Sequence, residues 1–210
     1  MTTPFLTVAD VRLIEQQVTK ILRAKSSSSD SKIVSTVRAL AVGELRENLT
    51  IVDETIVKEV EMIEDSMSAE LFIQGLKAYT IPFKAISDKG LQKLFKKDKK
   101  LKLPNLELVD WQRISYLSWL DKGTNRQYIV LENKGEYTAL RGVYEAQKPT
   151  KGVCAICNHH SSLHLFTATV KGNGDHYTSY SNYICTDAIT CNANVSNYTR
   201  LSEFVARNLV

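Results

Sequence analysis

Apolar positions recur with a helical period through roughly the first eighty residues and then change to alternation. Val11, Ile14, Val18, Ile21 and Leu22 fall on one face of a helix predicted over residues 8–24, and Thr7 followed by Asp10 forms a capping box at its start. Residues 26–29 make a short polar connection. Asp30 or Ser31 then caps a second helix through Ile33, Val34, Val37, Leu40, Ala41, Leu45 and Leu49. Asp53 opens a third, with Ile56, Val57, Val60 and Ile63 inward, and Ser68 opens a fourth, with Leu71, Phe72, Leu76 and Tyr79 inward. Pro82 ends that series, because proline has no N–H to continue the ladder. Helices of this length with short connections predict an antiparallel bundle, in which an apolar stripe is core.

A fifth helix is expected over residues 87–100, with Leu91, Leu94 and Phe95 on one side and Lys89, Lys93, Lys96, Lys97, Lys99 and Lys100 around it. From Ile114 the period is two, and residues 114–120, 127–131 and 137–144 are predicted strands, rich in aromatic and β-branched side chains. Asp121-Lys122-Gly123 and Asn133-Lys134-Gly135 supply turns for an antiparallel meander. Residues 163–170 and 177–184 pair as a hairpin about 171–175, and a last helix over 197–209 carries Leu201, Phe204, Val205 and Leu209 on one side. The predicted class is therefore α+β. A helical bundle over residues 1–80 precedes a mixed α/β domain over residues 81–210.

Charge sharpens that division. The chain carries +4 overall, with 27 Lys/Arg and 23 Asp/Glu. Residues 1–80 hold nine Lys/Arg against twelve Asp/Glu, so the surplus of positive charge lies in residues 81–210. A basic half points to an acidic or polyanionic partner. The composition, 43% hydrophobic and 24% charged, is that of an ordinary globular protein. Residues 1–7 lack the features of a secretory leader, and no apolar run approaches the ~18 residues a bilayer span requires. The expectation is a cytoplasmic monomer without a membrane partner.

The chain has four cysteines, in two pairs. Cys154 and Cys157 stand in a C-x-x-C turn, and Cys185 and Cys191 stand in a wider C-x5-C, with a loop of 27 residues between the two pairs. Two close pairs joined by a long loop are the pattern of a tetrahedral zinc site, and a knuckle, a hairpin, a second pair and a helix follow the order of a treble-clef-like module. One structural Zn2+ per chain, on Cys154, Cys157, Cys185 and Cys191, is the expectation; two disulfides or free core thiols are the alternatives. His159, His160 and His164 lie near the first pair and are candidate replacements or supporting donors. Catalytic chemistry finds no support. Four thiolates leave no open metal position, no His is followed two residues later by Glu, and the phosphate-loop, dinucleotide and nucleophile-elbow patterns are missing. The residues alone reach a non-enzymatic binding protein, with a zinc-ribbon-like nucleic-acid binder as one alternative.

Four stretches go further. They are Tyr79-Thr80-Ile81-Pro82-Phe83 with the basic run through Pro104; Trp119 with Asn125-Arg126-Gln127-Tyr128-Ile129-Val130; Lys151-Gly152-Val153-Cys154-Ala155-Ile156-Cys157-Asn158 on to Leu165-Phe166; and Tyr183-Ile184-Cys185 with Asp187, Ile189, Cys191-Asn192 and Phe204-Val205. Together they resemble the FusB-type fusidic-acid resistance proteins, which bind elongation factor G. The resemblance is strong over residues 79–210. It implies a helical bundle followed by a four-cysteine zinc domain. It also implies that this domain binds elongation factor G and promotes its release from ribosomes stalled by fusidic acid, leaving the drug unmodified. Tyr183 and Phe204 resemble aromatic positions on the family's partner-binding surface. Val153, where an aromatic is expected, and Tyr180, where a lysine is expected, depart from the pattern in the same neighbourhood. The basic segment 89–102 is shared with the family, and direct RNA contact by it stays open.

Overall fold

The structure, a computed structural model, describes residues 3–133, 135–145, 149–171 and 176–209. The proposed turns at Lys134 and at 172–175 lie outside the described residues. Two compact units form, Met1–Ile81 with Ser196–Tyr198, and Pro82–Val195 with Thr199–Val210.

The first unit is helical. Helix α1 (Val8–Ser27) begins at the predicted capping box: the Thr7 N–H donates to Asp10 Oδ2 at 2.7 Å, and the Asp10 N–H donates to Thr7 Oγ1 at 3.1 Å. Asp10 is buried, and its other oxygen accepts the Thr50 N–H at 2.9 Å, so one carboxylate serves two segments. Helices α2 (Ser31–Asn48) and α3 (Glu54–Met62) start after Asp30 and Asp53, whose carboxylates accept backbone N–H groups of the first turn. Helix α4 (Ser66–Gly75) starts earlier than predicted. Asp65, not Ser68, is its cap and accepts the N–H groups of Met67 and Ser68 at 2.8 and 2.9 Å. A carboxylate is the stronger acceptor, so it claims the helix start. Leu13, Ile14, Val18 and Ile21 of α1 meet Ala41, Val42 and Leu45 of α2, Ile56, Val57 and Val60 of α3 and Ala69 of α4 in one core. Ile33, Leu40 and Leu71, expected inward, are exposed. Only Ala41, Val42 and Leu45 of α2 are buried, a narrower stripe than the apolar pattern suggested.

The second unit is built on an antiparallel sheet. Helix α5 (Asp88–Leu94) is shorter than the predicted fifth helix. Beyond Phe95 the chain turns, and Asp98 is carried inward onto Arg126 and Arg141. Strands β1 (Leu117–Asp121), β2 (Arg126–Asn133) and β3 (Glu136–Tyr144) form the meander, followed by β4 (Thr150–Val153), β5 (His160–Lys171) and β6 (Tyr177–Cys185). The order is β1-β2-β3-β5-β4, and β6 pairs with β5 along most of its length. Strand β5 thus carries β4 and then β3 on one edge and β6 on the other. Helices α6 (Ala188–Asn194) and α7 (Tyr198–Arg207) close the chain. Strand β4 and helix α6 had not been predicted; each is short enough for its pattern to merge with the cysteine turns beside it. Phe83, Ile86, Leu91 and Phe95 pack with Leu117, Tyr128 and Val130 against one region of the sheet. Among the described residues no helix is long and apolar enough to cross a membrane.

Candidate metal centre

The four cysteines reach one point from four local structures. Strand β4 ends at Val153, and the next residues fold into a tight turn. The Asn158 N–H donates to the Cys154 carbonyl at 2.9 Å, and the Cys154 N–H donates to the His159 carbonyl at 3.0 Å. Asn158 takes a left-handed conformation (φ 59°), which asparagine tolerates better than most residues. Cys154 and Cys157 are thereby held on the same side of the turn. Cys185 is the last residue of β6. The wide C-x5-C spacing has a structural reason: Asp187 caps α6, accepting the Thr190 N–H at 2.7 Å, and Cys191 lies in that helix. The five intervening residues are the cap and the turn that swing Cys191 back to the strand end.

All four thiols are buried, and their sulfurs lie within 4.8 Å of one another. The Cys154–Cys191 and Cys157–Cys185 sulfur separations are both 3.8 Å. A disulfide needs about 2.05 Å. A tetrahedron with metal–sulfur bonds of about 2.3 Å has edges of about 3.8 Å, so the set fits zinc. The N–H groups of Ile156 and Cys185 each donate to Cys154 Sγ at 3.4 Å, which stabilises a thiolate there. Contact with Cys157, Cys185 and Cys191 pushes the Cys154 thiol well below its ordinary range, whereas contact with Cys154 pushes Cys157 and Cys191 well above theirs. Four clustered thiolates repel one another, and a divalent cation at the centre removes that conflict. The filled tetrahedron has no place for a reacting water.

The histidines are not in the cluster. His159 donates its Nδ1–H to the Cys157 carbonyl at 2.8 Å, holding the knuckle. His164 is buried, with Nε2 2.7 Å from Gln127 Oε1, and burial lowers its pKa. Two supporting residues were missed. Asn192 accepts the Ser115 and Tyr116 N–H groups at 2.7 and 3.2 Å and donates to the carbonyls of Tyr116 and Ala188 at 3.0 and 3.1 Å. It fastens α6, and with it Cys191, to the chain entering β1. Its neighbour Tyr116 is fully buried beside the sulfurs, and burial raises its phenol well above the usual range. Adjacency to Cys191 was the available signal for Asn192; nothing local marked Tyr116.

The surface beside the cluster divides the four predicted contact residues. Val153 is 57% exposed, Tyr183 51% and Tyr180 37%. Phe204 has no exposed surface and packs 6.4 Å from the ring of Phe166. The expectation that it offers its ring to a partner is corrected: it is core, because α7 lies on the sheet face that carries Phe166. Asn182, paired with Phe166, donates to Asn208 at 3.2 Å on that same face. Strand alternation then sets Tyr183 and Tyr177 on the opposite face from Asn182 and Tyr180. Tyr177, 65% exposed, had not been singled out, although its spacing from Tyr183 was visible.

No curated protein matches the chain by sequence. Among solved structures, that of the fusidic acid resistance protein FusC superposes with a TM-score of 0.78 at 29% identity, covering 98% of this chain and 97% of that one. The family model described as "Elongation factor G-binding protein, N-terminal" matches residues 5–84, and the one described as "FBP C-terminal treble-clef zinc-finger" matches residues 90–208. The second match alone spans more than half of the chain and contains all four clustered cysteines, and on it the chain belongs to the elongation factor G-binding protein family.

Proposed function

We propose that the protein binds elongation factor G and promotes its release from ribosomes on which fusidic acid has stalled it, so conferring resistance without altering the drug. The carrying observation is the match along nearly the whole length to a fusidic acid resistance protein, together with the two family matches. The reading needs no covalent chemistry. A protein that favours a conformation of the factor with weaker ribosome contacts shifts the equilibrium toward release. The complex forms in the cytoplasm, with one monomer per factor, and residues 81–210 carry the contact.

Zinc in this reading is structural, one ion per chain on Cys154, Cys157, Cys185 and Cys191, and its task is to keep a recognition surface rigid. Tyr183 is the leading contact on its face of β6, and Val153 and Tyr180, exposed on the other face of the sheet, are further candidates; exposed aromatics on a rigid frame are favoured anchors. Phe204 supports that surface from beneath.

Isothermal calorimetry of the zinc-loaded protein with purified elongation factor G is the direct test. A 1:1 complex is expected; no binding in modest salt would sink the reading. Expression in a susceptible bacterium should then raise tolerance to fusidic acid, and unchanged tolerance would separate binding from resistance.

A further inference from the structure

The turn that truncates the lysine-rich helix builds a second feature, on a different part of the sheet from the sulfur cluster. Asp98 is the pivot, with only 4% of its side chain exposed. Arg126 Nη1 and Arg141 Nη1 both donate to its Oδ1, at 3.0 and 2.5 Å. The two arginines come from neighbouring strands and lie diagonally on one face, since Arg126 pairs with Val143 and Tyr128 with Arg141. Like charges brought together in this way repel. One carboxylate cannot neutralise both, and each guanidinium has five N–H donors, of which Asp98 takes one. Lys96 and Lys97 are exposed and line the same open cleft of 350 Å³, with Leu94, Phe95, Asp98 and Arg141. The neighbourhood holds five cationic side chains, Arg126, Arg141, Lys96, Lys97 and Lys102, against two carboxylates, Asp98 and Asp121; the second stands opposite Arg126 on β1 and meets Lys102 at 3.5 Å. A buried acid that orients two half-exposed arginines, Arg141 lining the cleft and Arg126 beside it, is more than a solvated charge run, because burying Asp98 requires the helix to stop. Beside the cleft Trp119 meets Phe95 edge-on at 5.8 Å and stacks on Tyr128 at 4.9 Å.

We propose that this cleft binds the phosphodiester backbone of a single-stranded nucleic acid. One phosphate sits against Arg126 and Arg141, whose planar forks match its oxygens, and neighbouring phosphates meet Lys96 and Lys97. Asp98 is a positioning residue that fixes the guanidinium geometry. A strand suits the site better than a lone phosphate, because the lysines extend the positive charge along the chain instead of enclosing one anion.

Fluorescence anisotropy of the full-length, zinc-loaded protein with a labelled oligouridylate tests this. Binding is expected to weaken with salt, and the logarithmic slope should fall by about 1.4 in the Lys96→Ala/Lys97→Ala variant, at about 0.7 for each phosphate no longer neutralised. Both lysines are exposed, so the variant should melt like the parent and bind elongation factor G with unchanged affinity. Arg141→Gln should also weaken oligonucleotide binding, with a melting curve recorded alongside. Inorganic phosphate at matched ionic strength should compete only weakly. No oligonucleotide binding, or a slope unchanged by the double substitution, would overturn the proposal. So would phosphate competing as well as the strand, since the site would then take a lone anion. Loss of elongation factor G binding in the lysine variant, without oligonucleotide binding by the parent, would make the cleft a protein contact and overturn it too. The oligonucleotide arm does not depend on the factor-binding reading, because that assay contains no elongation factor.

Discussion

At the scale of single residues, the proposed contact Tyr183 and the core ring Phe204 should respond differently to substitution. Both are aromatic and both lie close in sequence to the cysteine module, yet one is half exposed and the other fully buried. Phe204→Ala removes a ring from the packed layer beside Phe166 and is expected to cost about 3–5 kcal/mol of stability, read from denaturant unfolding. Tyr183→Ala should leave the unfolding midpoint nearly unchanged and lower the affinity for elongation factor G by at least about tenfold. The reverse pattern would mean that the factor docks elsewhere. Asn192 gives a third outcome. Removing its amide leaves the backbone groups of Ser115 and Tyr116 without their partner inside the protein. Asn192→Ala is expected to destabilise by about 2–3 kcal/mol, a penalty for unmet buried bonds, and to weaken metal retention by loosening α6. Titration with a chromogenic chelator reads the second effect.

At the scale of elements, the starts of helices were legible and their ends less so. Thr7, Asp30 and Asp53 announced three helices because an oxygen that accepts first-turn N–H groups acts locally. Helix α4 was mis-started at Ser68 because both a serine and an aspartate were available; the carboxylate of Asp65 won. Asp65→Ala should therefore lower the thermal midpoint of the helical unit more than Ser68→Ala does. The backbone bonds from Ser68 and Met67 hold the Asp65 carboxyl below its ordinary range. Its contribution is present above the unfolded-state pKa and is lost as pH falls through the lowered one, so the two variants should converge in acid. The end of α5 could not be seen in the same way. Its lysines continue in helical rhythm, and only the tertiary demand of Arg126 and Arg141 for Asp98 breaks it. The metal ligands were legible because two close cysteine pairs joined by a long loop have the spacing of a tetrahedral zinc site. The burial of Phe204 agrees with its helical spacing beside Leu201 and Val205; only the family resemblance pointed its ring outward.

At the scale of the whole molecule, the two units rest on different sources of stability. The helical unit has its own core, from Leu6 to Leu76, and no cysteine. The sheet unit holds all four thiols and both tryptophans, Trp111 and Trp119, so tryptophan emission reports on it alone. Zinc binding in small structural sites supplies folding free energy on the order of 10 kcal/mol, and it requires deprotonated thiols. A strong chelator is therefore expected to shift tryptophan emission to the red and lower the midpoint of that transition steeply. The helical circular dichroism of the first unit should survive with its own midpoint. Acidification should act like the chelator, since protons compete with metal for sulfur, and zinc released on titration should track the emission change. Cys154→Ser or Cys185→Ser should reproduce the metal-free behaviour. If chelation left the tryptophan transition in place, or melted both units together, zinc would not be the separate support of the sheet unit. The proposal that it holds the Tyr183 surface rigid would then lose its basis.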